Sequence, residues 1–208
     1  MKLVLLGATG RTGKLVTGQA LTRGHAVTAI VRAPSARRSS ALPANKQLQT
    51  VVGDPRNIDI LTPILADHEA IISCLGQRSR QDANLLRDSA TAMLAAMARV
   101  GVRRCLVVSQ GLLFASWNPI ITLLRAILAR QVADSTAMER LVETSSTDWT
   151  IVRPPRLVDG GAPVGYQVKA DALPEGALTM RYADWPLFLL DAAEKGEHLK
   201  RIVGVASR

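Results

Sequence analysis

The sequence predicts an α/β fold: a doubly wound, mainly parallel sheet with helices on both faces. Two observations predict it. Short continuous apolar runs, of the kind that parallel strands bury on both faces, alternate along the chain with helix-compatible segments. The first of these runs leads directly into Gly7-Ala8-Thr9-Gly10-Arg11-Thr12-Gly13, so that strand, glycine-rich turn and helix start follow one another without interruption.

The elements follow in order. A strand from Leu3 gives way to the glycine turn and a helix running to Arg23, which Gly24-His25 closes. Residues 26–31 and 48–52 read as strands, the second followed by Gly53-Asp54-Pro55. A helical period over 58–66 leads to a strand at 70–74. Residues 82–99 place Leu85, Leu86, Ala90, Met93, Leu94 and Met97 on one helical face, stopping at Gly101. A strand at 104–108, one helix over about 121–143 and a strand at 149–152, closed by Pro154-Pro155, complete the alternation. Beyond it, residues 159–163 form a loop, 166–169 and 178–181 short strands, 183–194 a helix and 202–205 a last strand. The whole, residues 1–208, is expected to be a single domain: a core over about 1–153 and a small substrate-side elaboration over 154–208. Residues 33–46, rich in Ser, Pro, Ala and Arg, are the one low-order candidate.

Composition narrows the function classes. Two cysteines, Cys74 and Cys105, lie apart in apolar runs, which argues against a disulfide framework or a zinc site and fits a reducing compartment. The start of the chain has no signal-peptide layout. The greasiest stretch, 111–128, is broken by Asn118-Pro119 and Arg125, so no membrane span is expected and a cytoplasmic location is the default. A formal charge of +9 points to an anionic partner. With only 3% aromatic residues and no helix-turn-helix or finger pattern, a small anion is favoured over nucleic acid, a basic proteome being the alternative.

The glycine loop carries the chemistry. Gly7 allows a sharp turn out of the strand, Gly10 lets backbone amides approach an anion and Gly13 lets the helix pack on the sheet. The helix N-terminus then faces the pyrophosphate of a dinucleotide. The strand that ends at Val31 is followed by Arg32, with Ser35, Arg37 and Arg38 beyond and no carboxylate. A carboxylate there would accept from the ribose 2′-hydroxyl of NAD, whereas arginine matches the 2′-phosphate of NADP. Arg11 is expected on the same side. Asp54 is placed to accept from an adenine amino group or, equally, to cap the turn and helix after it. Cys74, Leu75 and Gly76 end a central strand where small residues let a ribose pass, and Ser109 ends the next one, near the expected nicotinamide. Phe114 and Trp117 follow Ser109 and are candidates to wall off a flat apolar ligand; the alternative is packing of the following helix or an oligomer contact. No Tyr-x-x-x-Lys occurs, so ordinary alcohol–ketone chemistry is not expected, and Tyr166 with Lys169 has the wrong spacing. His25, His68 and His198 read as surface residues.

GATGRTG from Gly7, the Arg32 strand end, Gly53-Asp54, Ser109 and the run from Asp148 to Pro155 occur in this order across almost the whole chain. Together they resemble the NAD(P)H-binding atypical short-chain dehydrogenases, the group that includes NmrA-like proteins, and within it the flavin reductase/biliverdin-IXβ reductase branch. That resemblance implies a Rossmann-like fold, NADP(H) in preference to NAD(H), and hydride transfer to a flavin-like or quinone-like acceptor, flavin being substrate rather than bound cofactor. It implies a pyrophosphate loop at Gly7, Thr9, Gly10, Arg11, Thr12 and Gly13, a 2′-phosphate arginine at Arg32 with Arg37 nearby, and Ser109 beside the nicotinamide. The branch's histidine after Pro-Pro is replaced here by Arg156, next to Pro155, which can pair with an anionic acceptor but not act as a general acid at neutral pH. The alternative function is a non-enzymatic NADP(H)-binding regulator of the NmrA type. The expected partner is a small planar or anionic acceptor, with neither nucleic acid nor membrane, and the chain is expected as a monomer or small homo-oligomer.

Overall fold

The computed structural model describes residues 1–33, 42–77 and 82–208. The strands of its main sheet are β1 (Lys2–Leu6), β2 (Ala26–Val31), β3 (Leu48–Val52), β4 (Ala70–Ser73), β5 (Arg104–Val108), β6 (Asp148–Arg153), β8 (Tyr166–Ala170) and β10 (Arg201–Ser207). Their order is β3-β2-β1-β4-β5-β6-β10-β8, that of a Rossmann-like fold, and it reverses between β1 and β4. Only β8 is antiparallel to its neighbour, with Val205 opposite Val168. The short strands β7 (Arg156–Val158) and β9 (Thr179–Arg181) pair with each other in parallel outside this sheet.

Six α-helices flank the sheet among the described residues: α1 (Arg11–Thr22), α2 (Ile58–Leu65), α3 (Leu85–Val100), α4 (Pro119–Ile127), α5 (Ala129–Glu143) and α6 (Trp185–Glu194). Alternate residues of each strand feed opposite layers. Leu3 and Leu5 of β1 join α1 and α6 through Val16, Trp185, Phe188 and Leu189. Val4 and Leu6 face the other way, onto Leu61 of α2, Met93 and Met97 of α3 and Met138 of α5. The region expected as a small C-terminal elaboration therefore belongs partly to the core: β10 pairs with β6 and α6 closes one face.

Three further expectations need correction. The single helix over about 121–143 is two helices, because Leu128 turns the chain at φ −98° and ψ 22°. The bend lets Arg125 reach back and donate from Nε to the Leu112 carbonyl at 2.7 Å and from a terminal nitrogen to that of Phe114. Helix α3 starts at Leu85 rather than at residue 82, since Asn84 adopts a left-handed conformation at φ 60°. His25 is buried, bonding the Met1 amine through Nδ1 at 3.1 Å and Glu194 through Nε2 at 2.7 Å.

Candidate functional site

The carboxyl ends of β1, β4 and β5 converge beside α1, at the point where the strand order reverses. Gly7 leaves β1 at φ +79°, and a Cβ there would stand 2.6 Å from the carbonyl oxygen of Cys74. A Cβ on Gly13 would stand 2.2 Å from the carbonyl oxygen of Gly7, so the loop and α1 meet at a distance that admits no side chain. Gly10 is the N-cap of α1, held extended at φ −74° and ψ 165°, and it closes the first turn with no side-chain cap. That turn holds no acidic residue either. Helices α2 and α4, by contrast, are closed by Asn57 and Asn118, whose side chains accept from Asp59 and Ile120 at 2.9 Å. The amides that open α1, with half-buried Thr9 and Thr12 beside them, thus fit the pyrophosphate of a dinucleotide.

Arg32 directly follows β2, but its guanidinium is engaged. Nη1 donates to Asp82 Oδ1 at 2.7 Å, and the carboxylate side chain is only 8% exposed against 31% for the arginine. Asp82 lies fifty residues away in the segment entering α3, and nothing local in the sequence announces the pair. Arg37, the second expected 2′-phosphate residue, lies outside the described residues. Asp54 accepts from Arg56 Nε at 3.0 Å and Nη2 at 2.6 Å. These bonds, against an opposing effect of burial, hold its carboxyl below the usual range. Asp54 also accepts from the Arg56 amide at 2.9 Å, so it closes the turn, while Asn57 caps the helix. Arg11 is engaged too, with the C-terminal segment. Its guanidinium lies 3.9 Å from the Tyr182 ring centroid and pairs with Asp159, tying the glycine loop to the C-terminal segment.

At the end of β4, the Cys74 amide donates to the Leu6 carbonyl at 2.9 Å. Burial pushes the Cys74 thiol up to about 12, so it is a neutral wall of the site, continued by Leu75 and Gly76. At the end of β5, the Ser109 amide donates to the Val152 carbonyl at 2.8 Å. Its hydroxyl is buried without a hydrogen-bond partner among the described residues, a costly state for a polar atom. The Gly111 amide donates to the Pro154 carbonyl at 2.8 Å, and a Cβ on Gly111 would come within 2.6 Å of that oxygen. The chain leaving Ser109 is therefore pressed against the chain leaving β6, which brings Ser109, half-buried Pro155 and exposed Arg156 to one edge.

The two aromatic candidates separate. Phe114 is buried, with the Arg153 guanidinium 4.8 Å from its ring centroid. Arg153 is in turn paired with Glu139 of α5, at 2.9 Å from Nε and 2.5 Å from Nη2. This buried pair, which the sequence reading missed, fixes the floor beneath the Ser109 loop. Trp117 is fully exposed and encloses nothing here, because Asn118 and Pro119 start α4 and turn the chain outward. Tyr166 donates to Asp191 at 2.6 Å and its phenol is raised, by burial first and the carboxylate second, in keeping with a structural residue. No group of three metal-ligating side chains occurs among the described residues.

A family model for NAD(P)H-binding proteins matches residues 7–195. The chain belongs to that NAD(P)H-binding family. It is 26% identical over 211 residues to YwnB of Bacillus subtilis, covering 95% of this chain and 94% of that protein. Among solved structures, a candidate NADH-flavin reductase from Streptococcus pneumoniae superposes with a TM-score of 0.80 at 25% identity, over 100% of both chains. The anaerobilin reductase ChuY from Escherichia coli O157:H7 superposes at 0.79 with 21% identity, covering 100% of this chain and 97% of that one. The chain is thus a member of an NAD(P)H-binding family with a Rossmann-like fold, and its structural neighbours include proteins described as a candidate flavin reductase and an anaerobilin reductase.

Proposed function

We propose that this protein is an NADPH-dependent reductase that passes hydride to a flavin-like or quinone-like planar acceptor. The buried, unpartnered hydroxyl of Ser109 at the end of β5 carries the reading: a polar atom in that position repays its burial when it binds a carboxamide or an acceptor ring atom. The nicotinamide would supply the hydride, and the chain's part is to bind, orient and exclude water. The glycine loop and the opening of α1 would hold the pyrophosphate, and Ser109 would orient the ring or the acceptor above the neutral wall of Cys74, Leu75 and Gly76. Arg156, exposed at the start of β7, would pair with an anionic acceptor tail. No Tyr-x-x-x-Lys is present to move a proton onto an alkoxide, and a stacked planar acceptor needs none, since most of its rate comes from proximity and orientation.

Preference for NADPH rests on Arg32 and on the absence of a carboxylate in the residues directly after β2. The deciding experiment is NADPH consumption by purified protein with excess FMN, beside an identical reaction with NADH. NADPH-selective turnover is expected, and Ser109→Ala should bind NADPH nearly as wild type while slowing turnover about tenfold or more. Tight NADPH binding with no turnover of FMN or a quinone would replace the reductase with a cofactor-dependent regulator.

A further inference from the structure

The large apolar side chains left outside the core are not scattered. Among the described residues ten are exposed, and five of them are Trp117 (103%), Ile120 (65%), Leu123 (61%), Leu124 (37%) and Ile127 (68%). The last four follow the i, i+3, i+4, i+7 spacing of one helical face, on α4, and Trp117 extends the stripe by a turn. The helix is not loose. Asn118 caps it, Pro119 occupies its first turn, and Arg125 pins it to the carbonyls of Leu112 and Phe114. The apolar face is therefore held outward in a fixed position.

Charge and area say what covers it. Residues 112–124 carry no charge, and the one cation of α4, Arg125, is turned inward onto carbonyl oxygens. A helix that lies on a lipid surface sets Lys or Arg along its polar face to meet anionic headgroups, and α4 offers none. Two copies of a chain of net charge +9 repel, and they do so least where the docking face itself carries no charge, as here. From the exposures of the five side chains, and areas of about 180 to 250 Å² each, the stripe presents about 650 Å². Two copies would bury about 1,300 Å², within the range of about 1,200–2,000 Å² of a specific interface.

We propose that α4 is the surface through which two copies of this chain form a two-fold homodimer. A two-fold axis across the stripe lays the helices antiparallel, so that each apolar face meets an identical one and the contact closes on itself. Because Arg125 links the same helix to Leu112 and Phe114, the contact also braces the segment leaving Ser109.

The test is sedimentation of the full chain from about 1 to about 100 µM, comparing wild type with Leu123→Glu and Ile127→Glu, and with Leu178→Glu as a control at an exposed apolar residue elsewhere. Wild type and the control should sediment at twice the chain mass, and the two α4 variants as monomers with unchanged circular dichroism and melting, their dissociation constants raised about a hundredfold or more. A wild-type monomer at the highest concentration overturns the proposal, and so does a dimer that both α4 variants leave intact. Should the wild type prove monomeric but pellet with phosphatidylserine vesicles, and the α4 variants not, the face belongs to a membrane surface instead.

Discussion

Replacing Asp82 with asparagine tests the cofactor end of the site more sharply than replacing Arg32, because it separates holding the arginine from charging it. In the structure Arg32 spends one guanidinium edge on a carboxylate 2.7 Å away and only 8% exposed. A 2′-phosphate bound to the remaining edge stands about 6 Å from that carboxylate, across one guanidinium. At an effective dielectric of about 40, between bulk water and a protein interior, one pair of like charges at that separation costs about 1.4 kcal/mol, or tenfold in affinity. The amide of the Asp82→Asn variant would keep a hydrogen-bond acceptor for Arg32 and remove the repulsion. NADPH affinity should therefore rise about tenfold in that variant while NADH affinity, which involves no 2′-phosphate, stays within about twofold. Isothermal titration with both cofactors, at equal ionic strength and with melting curves to show that the variant is folded, reads the difference directly. An unchanged or lowered NADPH-to-NADH ratio in a folded variant would refute the assignment of Arg32 to the 2′-phosphate side.

Three other outcomes follow from local geometry. Gly13→Ala forces a Cβ to 2.2 Å from the Gly7 carbonyl oxygen and should cost about 3 kcal/mol in urea unfolding and abolish NADPH binding, whereas Gly18→Ala on the same helix meets nothing within 4 Å and should stabilise by about 0.5–1 kcal/mol. Burial alone would raise the Glu194 carboxyl, but hydrogen bonds from His25 and Arg23 hold it below its usual 4.5, so its contribution is present above that value and is lost as pH falls through the lower folded value. Glu194→Gln should thus lose about 1 kcal/mol at neutral pH and converge with wild type as the pH falls below the usual carboxylate range in parallel denaturation curves. Cys74, pushed to about 12, and Cys105, pushed to about 11, should hold about one thiolate in ten thousand and one in a thousand at about pH 8, giving no reaction with Ellman's reagent over minutes until denaturant releases both.

Most of the parallel strands were legible because they are buried on both faces and so form contiguous apolar runs with their own local signal; the edge strand β3, with three of its five residues exposed, is the exception. The ranges 26–31, 48–52 and 104–108 agree with β2, β3 and β5 residue for residue. What escaped depends on partners far along the chain. Strand β7 is three residues long and exists through pairing with β9. Asp82 with Arg32, and Glu139 with Arg153, join residues separated by fifty and fourteen positions, and neither pair leaves a periodic trace. The bend at Leu128 interrupts a helical pattern that reads as unbroken, and the carbonyls of Leu112 and Phe114 that Arg125 then reaches lie before the helix begins. The nearness of Trp117 to Ser109 suits a pocket wall and, equally, a helix or oligomer contact, and only the capped start of α4 shows that the chain has already turned outward.

A surplus of arginine suggests a field aimed at an anionic ligand, but two of the arginines that pair with no carboxylate among the described residues face inward. Arg104 donates to the carbonyls of Asp148, Ala192 and Glu197 and to Thr150, bracing β5, β6 and the end of α6, and burial lowers its pKa. Arg125 does the same for the segment after Ser109. Guanidinium suits this work because several donors in one plane can satisfy carbonyls that no backbone amide reaches. Part of the positive charge is thus structural, and on the function proposed above the attraction of an anionic cofactor would come from placement: from Arg32 with its partner Asp82, and from the first turn of α1, which a sum over the sequence cannot distinguish from the rest.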